Sequence, residues 1–168
     1  MSLSMYQASI PMLLRGLDSL AAILAKAAAH AAARKIAPEV FLNARLAPDM
    51  LPLVRQVQIV SDTAKGCAAR LAGIEVPSYA DTEASFHELQ ERLAKTVTFL
   101  KGVAPEQIDG SEERAIVLKA HDQEIHFTGR TYLLGFVLPN FYFHLTTAYA
   151  ILRHNGVELG KKDYLGEV

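Results

Sequence analysis

Four stretches of this chain place apolar residues at intervals of three and four. That spacing lines one side of a helix, and four such stripes must be buried against one another. The first stripe is Leu13, Leu17, Leu20, Leu24, Ala27 and Ala31, within Ser9 to Arg34. The second is Leu53, Val57, Val60, Ala64, Cys67 and Leu71, within Met50 to Ala72. Phe86, Leu89, Leu93, Val97 and Leu100 form the third, and Leu133, Val137, Ala148 and Ile151 mark the fourth, from Thr131 to about Asn155. The predicted architecture is all-α, an antiparallel four-helix bundle. No repeat, low-complexity tract or linker divides residues 1–168, so a single domain is expected.

Glycine, proline and polar caps punctuate these helices. Ser9 ahead of Ile10-Pro11 reads as a cap with proline in the first turn. Ala37-Pro38 breaks the first helix, Pro38 to Arg45 reads as a short helical turn, and Gly73 closes the second long helix. Asp81 or Thr82 with Glu83 is expected to open the third, which Gly102 and Pro105 end. Between Ala115 and Thr128 the period changes to two, with Ile116 and Leu118, then Ile125 and Phe127, around His121-Asp122-Gln123. A small β-hairpin is predicted there, before the last helix. Pro139 is expected to kink that helix, and Val157 to Val168 to form a surface strap.

Charge and cysteine content exclude several classes of function. Lys and Arg number 17 against 18 Asp and Glu, a net charge of -1. Phosphate recognition needs a basic excess on one face, so a nucleic-acid partner is not expected. No uninterrupted apolar run approaches the ~20 residues needed to span a bilayer, so neither is a membrane partner. Nothing near the start reads as a signal peptide, and Cys67, alone among alanines, reads as a small buried hydrophobe. A cytoplasmic location follows. No serine-nucleophile, phosphate-loop, paired-cysteine or His-Glu-x-x-His motif is present.

One face of the last helix breaks the pattern. At about 100° per residue, Asn140, His144 and Thr147 fall close to the centre of its apolar face. Buried amides and imidazoles need partners, because each left unsatisfied costs about 1–3 kcal/mol. Asn140 and His144, one turn apart, present adjacent groups to one point, as metal ligands of bundle proteins do. Two readings stand side by side: a core hydrogen-bond network, and a pocket for a small molecule or metal in which His144 serves as base or ligand. Gln58 and Asp62, also one turn apart, are the polar candidates on the second long helix, although the wheel puts Asp62 roughly opposite Leu53 and Val57, near Arg55 or Lys65. His30, His87, His121, His126 and His154 lack comparable placement.

Three segments carry a resemblance: Arg55-Gln56-Val57-Gln58-Ile59-Val60-Ser61-Asp62, Ala68-Ala69-Arg70-Leu71-Ala72-Gly73, and the run from Leu138-Pro139-Asn140-Phe141-Tyr142-Phe143-His144 to Arg153. Together they resemble domain of unknown function 1993, grouped with the DinB/YfiT-like four-helix bundles, from about Met5 to Gly166. The resemblance implies an up-down bundle with an insertion before the last helix, and a homodimer. The wider group is similar to metalloenzymes, thiol-dependent transferases among them, whose metal is held by one histidine on helix two and a His-x-x-x-His pair on helix four. The pair falls here on Asn140 and His144, with Gln58 or Asp62 in the helix-two position, so the three-histidine set for nickel or zinc is incomplete. The resemblance thus implies metal ligands His144, Asn140 and Asp62 and a ligand pocket of Gln58, Asp62, Asn140 and His144. The alternative is a non-enzymatic dimeric binding or stress-related module, its dimer contact supplied by the alanine-rich first helix or an aromatic such as Tyr142.

Overall fold

The computed structural model of the chain describes residues 3–120 and 123–166. Its long helices are α1 (Ile10–Arg34), α3 (Leu53–Ala72), α4 (Phe86–Lys101) and α7 (Leu138–His154). Short helices α2 (Pro38–Leu42), α5 (Pro105–Ile108), α6 (Gly129–Thr131) and α8 (Lys161–Leu165) join or flank them. The predicted hairpin is β1 (Ala115–Ala120) paired antiparallel with β2 (Gln123–Thr128), and Ile116 opposes Phe127 as Leu118 opposes Ile125. His121 and Asp122, assigned to its turn, lie outside the described residues.

Each predicted stripe is buried: Leu13, Leu17, Leu20, Leu24, Leu53, Val57, Val60, Leu89, Leu93, Leu133, Val137 and Ile151 all belong to one core. The long helices form a ring in which α3 packs on both α4 and α7, and α1 closes it by packing on both as well. Side-chain pairs give the directions. Tyr132 meets Arg70, Asn140 meets Thr63 and His144 meets Gln56, so α7 runs antiparallel to α3. The connection after Gly73 doubles back along α3, with Tyr79 over Lys65 and Glu83 at Gln58. Its length lets α4 start beside the early part of α3 and run the same way, a refinement of the simple up-down order.

Local chemistry explains the ends. Gly73 takes the left-handed conformation, φ 69°, that favours glycine, and ends α3 as expected. α4 starts later than expected, at Phe86, because Ser85 Oγ accepts from Glu88 N while the Glu88 carboxylate accepts from Ala84 N. Asp81 and Glu83, expected to cap it, bind arginines instead. Ser9 does precede α1, but its Oγ donates to Met5 O and caps no helix amide. Pro139 lies in the first turn of α7, and the distortion expected from it takes the form of a π-helical stretch, Tyr132–Val137, immediately before that helix. The C-terminal strap is α8, which lies on α1: Arg15 Nε donates to Leu165 O at 2.8 Å and Lys26 pairs with Asp163. No described helix is long and apolar enough to cross a membrane.

Candidate functional site

With α4 on one side and α7 on the other, α3 has two buried sides, and its polar residues divide between them. Asn140 and His144 face the first. Asn140 Nδ2 donates to Thr63 Oγ1 at 2.9 Å, and His144 Nδ1 lies 2.7 Å from Gln56 Oε1. Gln56 is 1% exposed, and its Nε2 donates to the Leu51 carbonyl at 2.9 Å. That bond fixes the amide orientation, so Oε1 faces the ring and can only accept. His144 therefore carries its proton on Nδ1, and Nε2 of the neutral ring presents a lone pair. Burial pushes the His144 pKa below the ordinary histidine value, which favours this neutral form. Phe143, 55% exposed, sets its ring edge-on to that of His144. Thr147, read as a third inward residue, bonds Phe143 O of its own helix and joins neither cluster.

Gln58 and Asp62 face the other side. Gln58 Nε2 donates to Glu83 at 2.7 Å, and Arg55 donates to Gln58 Oε1 at 2.6 Å. Asp62 accepts from Arg92 and from Lys65, each at 2.6 Å. Arg92 is the centre of this cluster. It reaches Asp62, Asp81 and Glu83, and donates to Ser61 Oγ and the Ala80 carbonyl, from a side chain 2% exposed. Burial works against ionisation of Glu83, but hydrogen bonds from Arg92 and Gln58 outweigh it and hold its pKa below the usual glutamate value. Lys65, Arg92 and Lys95 surround the ring of Tyr79. A cleft of about 280 Å³ lined by Tyr79, Glu83, Glu91, Arg92 and Lys95 opens there.

The four residues expected to share one pocket thus occupy two clusters. The physical reason is angular: Gln58 is two residues, about 200°, from Gln56, and so points away from α7. Gln56, not Gln58 or Asp62, holds the helix-two position facing His144. Sequence reasoning missed Gln56, Thr63 and Arg92. The available signal was the two-turn spacing of Gln56 and Thr63 beside the Leu53-Val60 stripe, and a charged Arg92 beside Leu89 and Leu93. Among the remaining histidines, His30 packs edge-on to Phe41, His87 and His126 pair weakly with Glu91 and Glu124, and His154 is exposed. Cys67 is the expected buried hydrophobe, its thiol pushed up to about 12 by burial against the opposing charge of Arg70.

The donors facing α7 do not fit the metal that the resemblance implies. They are one imidazole, two neutral amides and a hydroxyl, with both ends of the Gln56 amide already bonded. Asp62, the anionic candidate, faces Arg92. Zinc and nickel sites draw on imidazoles, thiolates or carboxylates, and no group of three or more His, Cys, Asp or Glu among the described residues is placed to hold a metal ion.

Comparison with known proteins agrees with the fold. No curated protein matches the chain. A crystal structure of a DinB family member protein from Shewanella denitrificans superposes with a TM-score of 0.88 at 40% sequence identity, covering 97% of this chain and 92% of that one. Residues 5–165 match the family described as "Domain of unknown function (DUF1993)". Four buried stripes, the hairpin before the last helix and this match over nearly the whole length place the chain in the DUF1993 family, with a DinB-like fold.

Proposed function

We propose that this protein is a cytoplasmic binding protein that works without a bound metal and takes a small hydrogen-bond donor at His144. One observation carries this reading: the Leu51 carbonyl, Gln56 amide and His144 imidazole are linked so that Nε2 is an acceptor on a half-buried ring. Exposed Phe143 sets its ring edge-on to that imidazole, so the ligand is an apolar molecule carrying one hydroxyl or N–H group. Titration with phenol, followed by the nitrogen resonances of the His144 ring, tests it. Saturable shifts of Nε2 with a dissociation constant near or below about 1 mM, weakened in Phe143→Ala, are expected. Purely linear shifts, or shifts no larger than those of surface His154, refute the reading.

A homodimer is the second reading, favoured by the exposed small face of α1, where Ala22, Ala25, Ala29 and Ala32 face solvent at helical spacing. Tyr142, the other candidate contact, is half-buried and packs edge-on to Phe141. Light scattering should give the dimer mass for the natural protein and the monomer mass for Ala25→Arg. A monomer in both refutes it.

A further inference from the structure

We infer that the α3–α7 position where the resemblance implies a metal is a metal-free clamp, separated from a metal site by two residues, Gln56 and Asn140. The inference shares His144 with the proposed function but not its ligand. Two side-chain hydrogen bonds, Gln56 to His144 and Asn140 to Thr63, join the helices at this point. Gln56 is held by two bonds at once and is almost fully buried, so a cation would have to break the Leu51 contact to win a neutral and weak amide oxygen. Among the described residues no group of three or more His, Cys, Asp or Glu stands here to hold a dication.

The same geometry places the missing ligands. Gln56 touches the His144 ring, and Asn140 stands one turn before it on the same helix face. Histidine at both positions would bring three imidazoles to one point, with a fourth coordination position open. Because Gln56 stands at Nδ1, a metal shared with a histidine at position 56 would take that nitrogen of His144.

The test is metal content after exposure of the full chain to nickel or zinc and removal of the excess. The natural protein should keep less than about a tenth of an equivalent, and Gln56→His/Asn140→His close to one. Stoichiometric metal in the natural protein that His144→Ala abolishes overturns the inference, as does a folded double variant that binds none. Should the double variant not fold, the His144 resonances of the natural protein decide the matter. No zinc-dependent change supports the clamp, and a saturable one overturns it. Failure of phenol to bind would sink the proposed function while leaving each of these outcomes intact.

Discussion

Replacement of Arg92 by methionine tests whether the cluster between α3 and α4 is structural. Methionine keeps much of the apolar stem and removes the guanidinium, which is 2% exposed and serves Asp62, Asp81, Glu83, Ser61 Oγ and the Ala80 carbonyl. Breaking a fully buried ion pair by removing one partner costs about 3–5 kcal/mol. Asp62 and Asp81 are 40% and 35% exposed, remain hydrated and count for little. The cost therefore rests mainly on Glu83, 11% exposed, which keeps its bond from Gln58, while Ser61 Oγ keeps its bond with Thr96 and Ala80 is exposed. A loss of about 2–4 kcal/mol is expected, or about 5–15 °C in Tm for a chain of this size. Urea unfolding followed by far-UV circular dichroism measures it.

The acid limb gives an independent check. Glu83 has a depressed folded pKa, because hydrogen bonds from Arg92 and Gln58 outweigh the opposing effect of burial. Its stabilisation is present above the unfolded glutamate value, about 4.3, and is lost as pH falls through the folded pKa. Natural protein should lose stability across that window, and Arg92→Met should lose much less. A neutral-pH difference below about 1 kcal/mol, or equal acid slopes for the two proteins, refutes the structural role.

Gln56→Ala and His144→Ala should each destabilise by about 1–3 kcal/mol, and the double variant by less than their sum; additive values in chemical denaturation would mean that the bond between them contributes nothing. Gly129→Ala directs a methyl group into the Ser111 carbonyl oxygen, a backbone atom, and should cost at least about 1–3 kcal/mol by thermal melting; unchanged stability would place the hairpin exit elsewhere. Ser85→Ala removes the cap of α4 and should cost about 1 kcal/mol, with faster amide exchange at Glu88 as the local readout.

Helix spans and the inward turn of Asn140 and His144 were legible because they depend on neighbours in the chain. A three-and-four spacing, a glycine able to take positive φ and a proline near a helix start act over a few residues, and the structure returns α1, α3 and α7 almost as their stripes predict. The start of α4 was less legible, since Asp81, Thr82 and Ser85 are all plausible caps. In the structure Ser85 caps α4, while Arg55 and Arg92, distant in sequence, engage Asp81 and Glu83.

The partners of the inward polar groups were beyond local pattern. A helix with one buried side shows its inner direction in its apolar stripe, but α3 is enclosed by α4 and α7, and thirteen of its twenty residues are buried. Polar residues about 200° apart, such as Gln56 and Gln58, are then both interior, and nothing within α3 says which of them faces His144. By itself the sequence determined a four-helix bundle and an imidazole turned toward its core. Only the packing of α3 between two helices assigned Gln56 to that imidazole and Gln58 and Asp62 to the cluster around Arg92, because hydrogen-bond partners are set by contacts between segments far apart in the chain.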